Sequence, residues 1–410
     1  MKLDDNRLET LRRKINESLR IQRDSEKAVP YIDTSNALAD ITSRQNHTVF
    51  ARIGCGKTLL LHDSSRQLEG TTIRTVYLNC EDFKRHSFPN VLIEILDALF
   101  AELEAHLTGW FGRKRASRQL IHGIRSNLAS LKAREDESTE TVRRIEASES
   151  GASLGSSLGA GNKAVQAKVG ASVERKMKAE TERNFVRHED KLKALDIQLP
   201  ALKKQLRDFF DTSSSVKAVF LQIDDLYHLK KADQPFVMDY IHRLCKDVPL
   251  YFKVATLRHA SSLYIDRDGQ PIGAQERHDF QPINIDYTFA DFSKTRDQNK
   301  RIFQEFGKLA TIKSNEMDDL FRGQGFDRLV MAGGGVPRDT LSLFLEVLGA
   351  VQSQGGEGIG KDEVRILSRS NFERRIYELK EDSEGLEQDE LMKGIYALRE
   401  FCLQKKSNIF

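Results

Sequence analysis

"HTVFARIGCGKTLLLHD", residues His47 to Asp63, decides the fold. An apolar, β-rich run, "HTVFA", enters a glycine loop, and "KTLLLHDSSRQL" leaves it with helical character. Strand, loop and helix in that order make a phosphate-binding loop. Glycines let the backbone fold tightly and let its N–H groups point into a small cup at the positive end of a helix. The usual pattern is G-x-x-x-x-G-K-[ST], and here Ala51 stands in its first place, ahead of Gly54, Gly56, Lys57 and Thr58. Alanine is the smallest substitute and keeps the backbone donor. A working cup is therefore expected from Ile53, Gly54, Cys55, Gly56, Lys57, Thr58 and Leu59. Lys57 would reach the β- and γ-phosphates of ATP, and the Thr58 hydroxyl would hold Mg²⁺.

A second signal comes from "VFLQIDD", Val219 to Asp225. A buried strand ending in acids brings carboxylates to the carboxyl edge of a sheet. Asp224 is expected to hold Mg²⁺ through water, and Asp225 to polarise an attacking water. Many enzymes of this kind use glutamate in the second place. Aspartate is one methylene shorter, so slow hydrolysis is expected.

Around these two motifs, strands alternate with helices. "TIRTVYLNC" (Thr72 to Cys80) and "LYFKVATLRH" read as strands; Phe88 to Leu107 and "FVMDYIHRLCKDV" read as helices. That alternation predicts a parallel sheet with crossover helices. After "INIDYTF" the pattern is helical to the end, which predicts a second, smaller unit. At the other end, Leu8, Leu11, Ile15 and Leu19 form one stripe of a charged helix that Pro30 ends. From about Gly112 to Leu199 two helical arms are expected: Leu120, Ile124, Leu128 and Leu131 on the first, and Leu192, Leu195, Leu199, Leu202, Leu206 and Phe209, at coiled-coil-like spacing, on the second. Between them, residues 150–173 are rich in Gly, Ser and Ala. They read either as a small β-hairpin tip or as a low-complexity loop.

The third piece is "GGGVPRDTL", Gly333 to Leu341. Together with Lys57 and Asp224–Asp225 it resembles the AAA+ ATPases, in particular the initiator-type branch related to Orc and Cdc6. The likeness covers about residues 28 to 107 and 200 to 350. It implies an α/β fold: a P-loop NTPase (AAA+) parallel sheet core with an α-helical hairpin insertion and a C-terminal helical lid. The expected domains are an N-terminal helix (1–27), the nucleotide-binding core (28–111 and 200–290), the insertion with its Gly-rich tip (112–199), and the lid with the C-terminal helices (291–410). In that family a G-x-P-R segment opens a lid helix and its arginine contacts the γ-phosphate, which is the place Arg338 matches. An always-charged planar group suits phosphate. "FKVATLRH" looks like the strand that sets Thr256 near the attacking water, with Arg258 nearby. "VPYID" looks like the segment packing on adenine, with Tyr31 as the contact. The family also uses an arginine from a neighbouring subunit, for which Arg267 and Arg277 are candidates.

The resemblance implies ATP and Mg²⁺ as cofactors, catalysis by Asp225, Thr256 and Arg338, and a homo-oligomer, ring or partial ring. The insertion is foreign to the common core and is expected to project from it and meet a protein partner. DNA is a further candidate partner, through the basic run Phe111 to Arg118 with Trp110 beside it, although such a run is more often a solvated helix end. The chain after Val351 reads mostly as charged helix, short for a complete winged-helix domain. The alternative function is a nucleotide-gated switch that hardly cycles, as in STAND- or KAP-like proteins.

Composition narrows the classes. Of 410 residues, 30% are charged, yet the net charge is only +3, so any nucleic-acid contact must be a local patch. Four cysteines with no C-x-x-C exclude a Cys-rich zinc site and suit a reducing compartment. The first residues lack the apolar core of a signal peptide, and no run of about 18 apolar residues exists. A cytoplasmic protein with no membrane contact is expected. The abrupt helical end leaves room for a longer natural chain.

Overall fold

The structure is a computed structural model that describes residues 2–19, 30–33, 35–86, 88–105, 118–119, 121–132, 191–213, 215–267, 269–382 and 385–405. The chain divides into two units: one of residues 39–50 and 64–283, the other of residues 1–38, 51–63 and 284–410.

The first unit is built on a sheet. Its strands are β1 (His47–Phe50), β2 (Ile73–Asn79), β3 (Ala218–Asp224), β4 (Leu250–Thr256) and β7 (Gln281–Asn284), in the order β2-β3-β4-β1-β7. β2 with β3, β3 with β4, and β4 with β1 are parallel pairs. Parallel strands carry crossover helices on their faces, so the central ones are buried on both sides. Every residue of β1 and β3 is buried. In this order β1 lies between β4 and β7. The carboxyl end of such a strand is where open α/β sheets place ligands.

Helix α4 (Asn90–Ala105) covers the sheet with Val91, Leu92, Ile95, Leu96, Leu99 and Phe100, all at 2% exposure or less. The two predicted arms appear as helical residues 121–132 (α5) and 191–212 (α6). Their described parts do not project. Ile121, Ile124, Leu128, Leu131, Leu195, Leu199, Leu202 and Leu206 join the same core as α4 and the sheet. Arg125 bridges Asp97 and Glu104 of α4, and Lys132 reaches Glu94. The Tyr240 hydroxyl, on α7 (Gln234–Cys245), donates to the Leu195 carbonyl. The apolar stripe that reads as a coiled-coil seam is thus spent on the domain's own core. Leu192 is half-buried. Leu120, the tip at 150–173, Trp110 and the basic run up to Ser117 lie outside the described residues; Arg118 is described and exposed.

Two further strands, β5 (Tyr264–Arg267) and β6 (Gln270–Gly273), form an antiparallel hairpin between β4 and β7. Neither this hairpin nor β7 is expected from the sequence pattern, because all three strands are only four residues long.

The second unit is helical and centres on Phe303 of α8 (Phe292–Leu309), whose ring meets Phe321, Phe326 and Phe344 at centroid distances of 6.2, 5.4 and 5.0 Å. Edge-to-face packing of this kind adds to the area the rings bury. Phe326 lies on α10 (Gly325–Ala332) and Phe344 on α11 (Pro337–Ser353). Helix α1 (Arg7–Ser18) supplies its predicted stripe, Leu8, Leu11 and Ile15, to this cluster, with Leu19 packed at its margin. Arg7 ties it to Glu316 of the short α9 (Ser314–Asp318) with two hydrogen bonds. α2 (Ala37–Ile41) and α3 (Lys57–Leu68) each span residues of both units. The long helices α12 (Lys361–Asp382) and α13 (Gly385–Lys405) end the described chain. No described helix is long and apolar enough to cross a membrane.

Candidate functional site

The candidate site residues fall into two groups, one on each unit. The loop group starts at the residue after β1 and runs into the N-terminus of α3, which begins at Lys57. Gly54 and Gly56 carry the loop through left-handed backbone, at φ +89° and +91°. Ala51 is buried and is absent from the positive-φ residues. Ala51 therefore needs no glycine freedom, and the departure from the usual pattern leaves the loop's shape intact. The Lys57 ammonium donates to the Ala51 and Arg52 carbonyls at 3.1 and 3.3 Å. The residue that breaks the pattern thus presents its carbonyl to the loop's cation. Thr58, in the first turn of α3, and Leu59 are half-buried, while Ile53 is exposed.

Gly54 has a second constraint. A Cβ there would stand 2.9 Å from Arg338 Cβ and 3.0 Å from Val336 Cγ1. Arg338 follows Pro337 in the first turn of α11, and its backbone N–H donates to the Gly54 carbonyl at 3.3 Å. The predicted Arg338 and the predicted loop are brought together, and only a residue without a side chain lets them meet. Tyr31 is brought here as well: its backbone N–H donates to Asp63 of α3, and its ring lies 3.7 Å from where a Gly56 Cβ would sit. Burial raises the Tyr31 phenol well above its usual range, so it stays neutral.

Arg52 and Asp286 are the residues that sequence reasoning missed. Arg52 donates to both carboxylate oxygens of Asp286, from Nε at 2.7 Å and from its terminal nitrogen at 2.8 Å, and to the Gly334 carbonyl at 2.9 Å. The Arg52 backbone N–H adds a bond to the same carboxylate at 3.0 Å. Burial alone would raise the Asp286 carboxyl, but the bonds from Arg52 outweigh it and hold it below its usual range. The Cys55 thiol also hydrogen-bonds Asp286, and burial pushes it up to about 12. Cys55 is thus an inert prop of the loop, not a reactive thiol. Asp286 lies in the "INIDYTF" segment, where only its context in space reveals the role.

The acid group stands at the carboxyl edge of the sheet. Asp224 ends β3 and is fully buried. Tyr77 of β2 donates its hydroxyl to one Asp224 oxygen at 2.8 Å, and the Asp225 backbone N–H donates to the other at 2.9 Å. Asp225 itself sits at φ 52°, ψ 43°, a left-handed conformation that costs a non-glycine residue about 1 kcal/mol. The Tyr227 hydroxyl bonds the Asp225 carboxylate; burial first, then the two aspartates, push that phenol up to about 12. Thr256 ends β4, in register with Phe50 at the end of β1, and shares a hydrogen bond with Ser261. Arg258 lies over the Phe50 ring at 4.0 Å and pairs with Glu276. Asp224, Asp225 and Thr256 thus share one edge, and Tyr77, Tyr227 and Ser261 are the partners the sequence did not reveal. Arg267 and Arg277 are both exposed on the connection from β4 to β7, Arg277 at φ 68°.

Each group offers an oxygen donor of the kind a hard divalent cation such as Mg²⁺ takes, the Thr58 hydroxyl in the one and the Asp224 carboxylate in the other. Among the described residues no group of three or more His, Cys, Asp or Glu forms a metal cage.

The core is a P-loop α/β fold. No family model and no curated protein matches the sequence. Among solved structures, the chain is similar to the Aeropyrum pernix ORC1 protein in complex with DNA, at 12% identity and TM-score 0.40, over 88% of this chain and 71% of that one. It is similar to Drosophila ORC bound to DNA at 11% identity and TM-score 0.43, over 92% and 69%. It is also similar to the Thermotoga maritima RuvB Holliday junction branch migration motor, at 12% identity and TM-score 0.34, over 90% and 74%.

Proposed function

We propose that this chain is an ATPase that binds ATP·Mg²⁺ and couples its turnover to a conformational change on a partner. The observation that carries this reading is the loop at the start of α3: left-handed Gly54 and Gly56, the Lys57 ammonium poised over its own loop, and the Arg338 backbone seated on Gly54. Backbone donors, a helix N-terminus and two cations make a site for a polyphosphate. Lys57 neutralises the β- and γ-phosphates, and Arg338 answers to the γ-phosphate. Tyr31 offers an apolar ring to the base. Mg²⁺, when bound, would neutralise phosphate charge, and Thr58 and Asp224 are the residues to hold it. Asp225 orients the attacking water and accepts its proton. Thr256 with Ser261 supplies a hydroxyl pair to the same water. The chain would work in the cytoplasm as a homo-oligomer, ring or partial ring, with its 112–199 segment toward a protein partner.

The test is phosphate release from ATP by the full chain, beside Lys57→Ala and Asp225→Asn, with and without duplex DNA. Turnover that both variants lose supports the ATPase. A rate raised by DNA identifies the partner class as nucleic acid. Tight ATP binding without turnover would sink the motor and leave the nucleotide-gated switch, a reading that the short, tyrosine-bonded Asp225 favours.

A further inference from the structure

Two arginines lie against one loop and are held in opposite ways. Arg338 is exposed, and its backbone N–H is what ties it to the loop, at 3.3 Å from the Gly54 carbonyl. Arg52, two residues before Gly54, is half-buried and gives its guanidinium to the protein. It donates to both Asp286 oxygens at 2.7 and 2.8 Å, to the Gly334 carbonyl at 2.9 Å and to the Tyr287 carbonyl at 3.4 Å. A two-pronged pair with a carboxylate fixes the plane of the guanidinium as well as its place. The Asp286 side chain is only 16% exposed, so salt and water screen the pair little. The Gly334 carbonyl is itself a fixed point, in the turn between α10 and α11. Next to it, Gly335 takes left-handed backbone at φ 72°, a Cβ there would meet Thr295 Cγ2 at 2.6 Å, and Asn299 of α8 donates to its carbonyl at 3.2 Å. The turn is thus pressed onto α8, and Arg338 follows Gly334 four residues on. Arg52 therefore joins the loop, the chain entering α8 and the turn that presents Arg338.

We propose that Arg52, braced by Asp286, is a positioning residue: it fastens the loop to the turn ahead of α11, so that Arg338 stands ready for a γ-phosphate and the site prefers ATP to ADP. The inference rests on the reading of the loop as an ATP site. A segment already fastened has little freedom left to lose when a γ-phosphate arrives, whereas a loose one must first be ordered. ADP has no γ-phosphate, so its binding does not draw on the fastening. The single neutral bond from the Arg338 backbone to Gly54 is the weaker tie, and the charged pair behind it is the stronger one.

The test is calorimetric binding of a non-hydrolysable ATP analogue and of ADP, each with Mg²⁺, to the full chain and to Arg52→Lys, Asp286→Asn and Arg338→Ala. The parent is expected to prefer the ATP analogue. Arg52→Lys keeps the charge but loses the two-pronged grip, and should weaken the analogue about tenfold or more while leaving ADP within about twofold. Asp286→Asn should do the same. Charge and position make opposite forecasts there, because removing a carboxylate would by itself favour the more anionic ATP. Adding Asp286→Asn to Arg338→Ala should cost nothing further, since both act through one contact. A parent that binds both nucleotides alike, ADP weakened as much as the analogue, or effects that add would each overturn the proposal. A parent that binds neither would end the ATP reading and the preference with it. The fastening has a readout of its own in the nucleotide-free chain: alkylation of Cys55 by iodoacetamide, followed by the mass of its peptide. Cys55 is buried and its thiol bonds Asp286. Arg52→Lys should speed that reaction about tenfold by local opening. The lysine retains the nearby positive charge that eases ionisation of the thiol, so the rate reports access and not acidity. An unchanged rate would overturn the fastening whatever the nucleotides do.

Discussion

The loop group and the acid group both rest on left-handed backbone, and they reach it by opposite means. At Gly54 and Gly56 the sequence supplies glycine, so the conformation is free of strain and the loop can hold Arg338 against itself. At Asp225 the chain takes the same region with a side chain in place, and hydrogen bonds around Asp224 hold it there. One region is shaped by the absence of a side chain and the other by the aim of one. Strain of the second kind tends to persist where the surroundings enforce it and chemistry uses it.

The widest break in that comparison comes from glycine at the loop. Gly54→Ala puts a Cβ into left-handed backbone and into Arg338 and Val336 at once. Nucleotide affinity is expected to fall by about a hundred-fold or more, with stability lowered by roughly 1–3 kcal/mol. Ala51→Gly, which restores the commonest loop pattern, is expected to change affinity by less than about threefold, a change under 1 kcal/mol, because Ala51 carries no positive φ. Titration of ATP with a melting curve for each variant measures both. A large gain from Ala51→Gly would mean that the first position matters after all.

Asp225→Gly tests the acid group in the other direction. Removing the side chain relieves the left-handed strain, so the melting temperature is expected to rise, by the equivalent of about 0.5–1 kcal/mol. Phosphate release is expected to fall by about a hundred-fold, the usual worth of a positioned general base. If stability falls with activity, the backbone at Asp225 is not strained and the contrast with the glycine loop fails.

A third comparison lies within β4, between the buried acid beside it and a buried base on it. Asp224 is surrounded by donors, and Lys253 by acceptors: its ammonium reaches the Ser43 and Gln45 carbonyls, both at 2.7 Å, and His47 Nδ1 at 3.0 Å. Burial pushes the lysine down to about 6 and His47 down to about 4. For a base with a lowered folded value, the unfolded chain binds the extra proton between about 6 and the ordinary lysine range. Stability should therefore rise with pH across that window, by at most about 1.4 kcal/mol per unit. Denaturant midpoints from pH 6.5 to 9 measure the slope, and Lys253→Met should flatten it. A slope that survives the substitution belongs to other groups.

Much of this architecture was readable in advance because its causes are local. The loop's glycines, the buried β3 run and its acids, the α1 stripe and Pro337–Arg338 each declare themselves within a few neighbouring residues. The partners in the two groups did not, because they are long-range: Tyr77 meets Asp224 only after β2 lies beside β3, and Asp286 meets Arg52 only after the chain returns from β7. The described parts of the arms are placed by a long-range cause as well. A leucine stripe has the same spacing whether it faces another free helix or its own domain core, and here α5 and α6 are claimed by α4, α7 and the sheet. The left-handed turn at Asp225 is set by what surrounds it, and aspartate gives no warning of it.

Those long-range partners set the finest test. Tyr77→Phe keeps the ring, whose place beside β3 is fixed by the β2–β3 register, and removes only the hydroxyl that donates to Asp224. One hydrogen bond to a charged group is worth roughly 1.5–3 kcal/mol net of the exchange with water, and only the part of it that aims Asp224 reaches the metal. The Mg²⁺ concentration that half-saturates phosphate release should therefore rise several-fold. ATP affinity measured without Mg²⁺ should stay as it was, because the loop group does not depend on that bond. A fall in Mg²⁺-free affinity would mean that Tyr77 supports the whole fold. An unchanged Mg²⁺ requirement would mean that the Asp225 backbone N–H alone sets the aim of Asp224, leaving the acid group held by its strained turn and not by its neighbouring strand.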